Sequence, residues 1–338
     1  MSRLARVHRS QSQLTLALFG LISLLCWGSG AALASQDDIV PEGAWKYEAA
    51  VFVEAQQSAY NRFGKLRSLK RLLIPKRADA KQTSGSIIRK VNRADFRFTY
   101  GVSDTWNLFL EVPYLQLEQD SSLKTSSTDP LIQAQVATLR SQSLTGLGDF
   151  RMFSMHRTVF SDRNGFVVGY GLIHPIRDRD ESRPGALALA LRSPHPSLSS
   201  FIHYTRYPAL RRSRFDIRLQ FDFGLDGHIK ALDGKKRKFE GGNDLDIQLG
   251  WHKEFGAFGT GFNLNHRRKT LNRLGGGSLG DPEEETLFRL RAGYGNLVRL
   301  EQGAINFPYQ LIIEFDRSLD GFNVPYSDGI TLSLQTYF

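Results

Sequence analysis

The chain contains one cysteine, three methionines and four tryptophans, and no apolar run approaches the roughly 20 residues that a helix needs to cross a bilayer. Its single cysteine, Cys26, lies inside the apolar stretch of an N-terminal export signal. The exported protein is therefore expected to have no thiol and no disulfide. Gly-x-Ser-x-Gly and His-Glu-x-x-His are both missing, which removes the sequence signatures of an α/β serine hydrolase and of a zinc protease. Bases are interspersed with acids and accompany no helical DNA-reading motif, so nucleic-acid binding is not expected.

Arg3, Arg6, His8 and Arg9 form a basic n-region, residues 14–27 an apolar h-region, and Ala32-Leu33-Ala34 a small-residue cleavage site. The expected division is residues 1–34 as a secretory signal and 35–338 as one exported domain. Lipidation at Cys26 is not expected, because Leu25 stands where a small residue is required. Losing Arg3, Arg6 and Arg9 lowers the net charge from +10 to +7.

The most informative feature is alternation. Across residues 329–338, Ile330, Leu332, Leu334 and Phe338 share one face, interrupted only by Thr336, while Thr331, Ser333, Gln335 and Tyr337 share the other. Such a strand suits the closing strand of a transmembrane β-barrel, apolar toward lipid and polar toward a wet interior. An edge strand of a soluble sandwich is the alternative that this segment alone leaves open. The division recurs, however. Phe215, Ile217, Leu219, Phe221 and Phe223 oppose Arg214, Asp216, Arg218, Gln220 and Asp222; Trp45, Val51 and Val53 oppose Lys46, Glu48 and Glu54. About twelve such segments, each near the roughly 9–11 residues of a tilted membrane strand, predict an all-β fold. It is a transmembrane antiparallel up-and-down barrel with short periplasmic turns and long extracellular loops, placed in the outer membrane of a Gram-negative cell. The 31 glycines, 23 phenylalanines and mean hydropathy of −0.31 fit apolar residues at alternate positions. Residues 186–192, an Ala-Leu repeat, are placed in a loop, because counting them as a strand breaks the even number.

Bulky aromatics collect at the short-turn ends of these segments: Trp45, Tyr100, Trp106, Phe166, Trp251 and Phe307. They are expected to form a periplasmic aromatic girdle. The residues expected to point inward are Arg97, Glu111, Arg151, Asp216, Arg218, Asp222, Asp246, Arg267, Arg289, Arg291 and Glu314. They form either a charged path that tunes selectivity or an ion-pair network that stiffens the wall. Only residues 35–43 precede the first strand, too few for a large N-terminal hatch, so any gate is expected in the loops.

The first long loop, residues 57–85, is the leading gate candidate. Phe63, Leu66, Leu69, Leu72 and Leu73 recur at near-helical spacing among Arg62, Lys65, Arg67, Lys70 and Arg71. It can be solvated, rest on lipopolysaccharide phosphates, or fold into the mouth. Lys235-Lys236-Arg237-Lys238 adds a second basic loop, and Glu283-Glu284-Glu285 an acidic one expected in solvent. No metal or cofactor is expected. None of His156, His174, His195, His203, His228, His252 and His266 sits in a nucleophile motif, so an enzyme is the weaker alternative to a channel or a purely structural barrel. Expected partners are outer-membrane lipid and lipopolysaccharide, a small solute, and the barrel-assembly machinery through the strand ending at Phe338.

Three stretches carry a family resemblance. Tyr100-Gly101-Val102-Ser103-Asp104-Thr105-Trp106 leads into Leu110-Glu111-Val112-Pro113-Tyr114; Gly146-Leu147-Gly148-Asp149-Phe150-Arg151 opens a strand; Gly171-Leu172-Ile173-His174-Pro175 ends one. Together they resemble an outer-membrane transporter family associated with the meta-cleavage pathway of phenol degradation, with Ile176-Arg177 replacing that family's usual Thr-Gly. The resemblance implies an outer-membrane barrel that moves small, aromatic or apolar molecules.

Overall fold

A computed structural model describes residues 40–73, 82–161, 164–175, 196–208, 213–230, 236–279, 282–296 and 308–338. The predicted signal segment, the Ala-Leu repeat and Phe307 lie outside these residues. Twelve strands among the described residues close into one antiparallel barrel. They are β1 (Trp45–Gln56), β2 (Ile87–Ser103), β3 (Trp106–Ser121), β4 (Gln142–Leu147 and Asp149–Ser161), β5 (Asn164–Pro175) and β6 (Ser197–Arg206). The second half comprises β7 (Ser213–Gly224), β8 (Asp244–Phe255), β9 (Phe258–Lys269), β10 (Glu283–Gly295), β11 (Tyr309–Phe322) and β12 (Asp328–Tyr337). Each strand pairs with its neighbours in sequence, and β12 closes on β1 with Leu332 opposite Val51. Closure leaves no strand edge unpaired in the wall, the only way a sheet can satisfy its backbone in hydrocarbon.

Alternation sorts the side chains as predicted. Phe215, Ile217, Leu219, Phe221 and Phe223 are exposed on the outside of β7, and Ile330, Leu332 and Leu334 on the outside of β12. Lys46, Glu48, Arg214, Asp216, Ser333 and Gln335 are buried within. An apolar exterior wrapped around a polar interior is the inverse of a soluble core, and it makes the solvent outside the wall hydrocarbon.

Trp45, Tyr100, Trp106, Phe166 and Trp251 all occupy outward rows near the short-turn end, and the rings of Trp45 and Tyr100 meet with centroids 4.7 Å apart. Phe258, Tyr294 and Tyr309 continue the belt, at 5.2 and 6.2 Å between successive rings.

In β4 one extra residue is inserted at Gly148. Leu147 stands opposite Tyr114, yet Arg151 stands opposite Glu111, so three residues of β4 face two of β3. The Gly148 amide donates to the Pro113 carbonyl at 2.8 Å, and a Cβ here would lie 2.4 Å from Leu115 Cδ1. Such a bulge exchanges the faces of the strand. Leu147 is exposed outside, whereas Phe153 and Met155 are buried.

The long-loop end is more ordered than a set of loops. The polar stretch 118–144 reads in sequence as the second long loop, yet β3 runs on to Ser121 and a helix, α2 (Pro130–Thr138), follows. The near-helical spacing of the first loop yields a shorter helix, α1 (Leu69–Leu73), while Leu66–Ser68 is extended and pairs with Ser58–Tyr60. The long connections 226–243 and 273–285, which read in sequence as loops, contribute paired strands at this end, Gly227–Lys230 with Lys236–Glu240 and Asn272–Leu274 with Gly277–Leu279, joined through Phe239 opposite Leu274. Glu283-Glu284-Glu285 is not a solvated loop. It opens β10, where it faces Lys269, Arg268 and Arg267 across β9, because opposite charges on facing strands favour pairing.

Candidate functional site

Both mouths of the barrel are partly filled from within. Ile87 lies in the inward row of β2 and packs with Ala59 and Leu69 of the first loop and Leu139 after α2 into one buried cluster. The inward Gln119 is 1% exposed and donates from Nε2 to the carbonyls of Leu139 and Arg140, both at 3.3 Å. Of the three fates open to the first loop, Leu69 takes the inward one, and the second loop joins it. At the short-turn end Val40 is buried, and its carbonyl accepts from Asn107 Nδ2 at 3.2 Å. A Cβ on the inward Gly101 would stand 1.9 Å from the Pro41 carbonyl oxygen, so only glycine lets this segment lie against the wall. Blockage was expected from loops alone; residues 40–43 also reach inside, because a short segment suffices where the lumen is narrow.

Between the mouths, inward side chains form alternating charge rows. Glu48, Arg97, Glu111 and Arg151 are direct cross-strand neighbours on β1, β2, β3 and β4. Arg97 holds Glu48 through Nη1, Asp95 through Nη2 at 3.3 Å and Glu111 through Nε at 2.8 Å. Arg151 reaches Glu111 more loosely, at 3.7 Å. On the far wall, Arg289 donates to Asp316 at 2.6 Å and Arg291 approaches Glu314 at 3.6 Å. Arg267 pairs with Asp244 and stands opposite Asp246. Asp222 accepts from Ser199 and from Gln220 Nε2 at 2.9 Å. These side chains occupy the rows of their strands opposite the exposed apolar ones.

A further polar cluster centres on Asp216. Its carboxylate contacts His203 Nε2 at 3.3 Å, His252 Nε2 at 3.1 Å and Arg214 Nε at 3.0 Å. The two histidines join the lumen although neither belongs to a sequence motif. The available signal was alternation, of His203 with the outward Ile202 and of His252 with the outward Trp251.

One sector of the wall is apolar. Phe109 of β3, Phe153 and Met155 of β4, Val167 of β5 and Phe201 of β6 form a buried cluster facing the lumen. Phe153 meets Phe109 at 6.1 Å and Phe201 at 5.7 Å between centroids. Glycine makes the space: a Cβ at Gly169 would sit 2.1 Å from Phe201 Cε1. Gly169→Ala should push that ring into the lumen and cost about 1–3 kcal/mol by overpacking. Adding Phe201→Ala should relieve most of this. Urea unfolding midpoints in lipid vesicles test the coupling, and additive losses would show that the contact is not strained.

The packed side chains leave small cavities. One of about 90 Å³ lies among Arg97, Asp216, His252, Asn263, Arg291 and Glu314. Another of about 30 Å³ lies among Phe109, Phe153, Phe201, Arg151 and Gln220. Arg218 lines both, and its guanidinium carbon lies 4.2 Å from the Phe201 ring centroid. An apolar cavity of about 150 Å³ can hold benzene, so a solute of that size must displace lumen side chains.

These features define a closed transmembrane-type β-barrel whose narrow lumen is ionic over most of its circumference and aromatic over the rest. An outer membrane channel from Pseudomonas putida F1 has a similar fold, with a TM-score of 0.66 at 16% identity over 91% of this chain and 100% of that one. The Pseudomonas putida toluene transporter TodX aligns over 92% of this chain and 95% of its own, with a TM-score of 0.40 at 9% identity. No protein-family profile and no curated protein match the chain.

Proposed function

We propose that the protein is an outer-membrane channel through which small solutes, aromatic or apolar ones among them, pass passively. The observation that carries this is the lumen itself, a closed cylinder of polar groups with an aromatic strip running beside them. An apolar molecule can slide along Phe109, Phe153 and Phe201 while water and ions keep the opposite wall solvated. The described N-terminal residues and loops narrow the path, so thermal motion of side chains and loops would gate it. The Pseudomonas putida protein of similar fold is called an outer membrane channel, and the resemblance to the meta-cleavage transporter family points to aromatic solutes. Neither an energy-coupling motif nor a recognisable nucleophile motif supports active transport or catalysis.

Membrane placement follows from the same sidedness. The exported chain would be inserted through the strand ending at Phe338, and its basic loops would rest among lipopolysaccharide phosphates.

Purified protein in liposomes is expected to raise the permeability to small aromatic solutes above that of empty vesicles. Arg97 bound to carboxylates from three strands favours a second possibility, a rigid barrel without transport. Zero flux across a panel of charged, polar and apolar solutes would select it.

A further inference from the structure

The aromatic sector is not purely apolar at its edges. The cavity beneath Phe109, Phe153 and Phe201 is also lined by two guanidinium groups, Arg151 and Arg218, and by one carboxylate, Glu111. That carboxylate is already engaged by Arg97 at 2.8 Å. Arg151 touches it only at 3.7 Å and keeps 45% of its side chain exposed, so it can swing at low cost. Arg218 donates from Nη2 to the Gln220 amide oxygen at 2.9 Å, lies over the Phe201 ring and separates this cavity from the larger one. Lifting Arg218 from Phe201 joins the two spaces and frees an aromatic face beside a cation.

Cationic donors beside a shelf of three rings suit a molecule with an anion at one end and a hydrocarbon body at the other. A planar carboxylate matches the guanidinium fork, and aromatic rings offer an apolar body a low-entropy surface. We propose that the lumen holds a binding site for amphiphilic monocarboxylates, with the carboxylate between Arg151 and Arg218 and the body against Phe109, Phe153 and Phe201. This rests on the channel reading and narrows its solute to organic acids. A neutral isostere gains the shelf but not the charge-assisted bonds, and a small anion gains the bonds but not the shelf.

The test is equilibrium binding to the full exported protein in nanodiscs, followed by fluorine NMR with para-fluorobenzoate and its neutral counterpart para-fluorobenzyl alcohol, against empty nanodiscs. Fluorobenzoate is expected to bind roughly tenfold or more tightly, the usual weight of hydrogen bonds to a charged group. Arg218→Gln should bring the acid down to the level of the alcohol, and Phe201→Ala should weaken both. Acetate should fail to compete. Should Arg218→Gln not yield a heat-modifiable barrel, Arg151→Gln is expected to reduce the same preference several-fold. Equal binding of acid and alcohol, acetate competing as well as benzoate, or a preference unchanged in every folded arginine variant would each overturn the site. Liposome flux keeps the two ideas apart: binding without flux rejects the channel and leaves the site, while flux without acid preference does the reverse.

Discussion

Leu219→Arg is expected to destabilise the barrel by about 2–4 kcal/mol, the cost of a cation facing lipid near the bilayer midplane. Leu219 sits midway along β7 on the outward row and is 44% exposed. In a soluble protein such exposure would make arginine nearly neutral, because surface changes usually cost less than about 0.5 kcal/mol. In hydrocarbon the guanidinium must snorkel toward an interface or thin the bilayer around it. The adjacent Gln220→Arg supplies the contrast. Gln220 lines the lumen directly opposite Asp246 and two residues from Asp222, so a cation there gains acidic neighbours and should be tolerated within about 1 kcal/mol. Urea unfolding midpoints of the three proteins in the same vesicles measure the difference. Equal midpoints for Leu219→Arg and wild type would mean that lipid does not surround this face.

Arg97→Ala should be the most damaging single change inside the lumen. Glu48, Asp95 and Glu111 are nearly fully buried and all converge on this guanidinium. Removing one partner of a buried ion pair costs about 3–5 kcal/mol, mainly from the charge left behind. Here three carboxylates lose the cation together, with Arg93 and Arg151 at the edges as the remaining compensation. Neutralising the acids in the same background, as Glu48→Gln, Asp95→Asn and Glu111→Gln with Arg97→Met, should recover most of the loss. The single mutant should also conduct ions more readily in planar bilayers, because the side chain bridging three strands is gone. A midpoint unchanged in Arg97→Ala would show that the network contributes nothing to holding β1, β2 and β3 together.

Much of this architecture was legible because one face of each clear strand carries charge. Where Arg214, Asp216 and Arg218 alternate with Phe215 and Ile217, the period and its direction are both visible, and the count of twelve strands follows. The aromatic sector was not legible for the complementary reason. Around Phe109 the sequence reads Leu108-Phe109-Leu110, and Phe201 is followed by Ile202, so both faces are locally apolar, and only the polar residues two positions away, Asn107, Glu111, Ser199 and His203, mark the inward one. Taking ionic groups as the sign of the interior found the charged wall and overlooked the rings beside it. The helix α2 had a signal, since Asp129-Pro130 places an N-cap residue before a proline at the first helical position. The expectation of an unstructured loop overrode it. Gln119 bonding to Leu139 depends on where the loop returns in space, which spacing along the chain does not encode.

The inserted residue at Gly148 has a reach beyond its own turn of backbone. With an uninterrupted register from Leu147 onward, Arg151, Phe153 and Met155 would point into hydrocarbon, and Met152, Ser154 and His156 would occupy their places. Two of the five side chains of the greasy strip and one of the two cations beside it thus depend on a matter of counting, odd against even, set at a residue that has no side chain of its own.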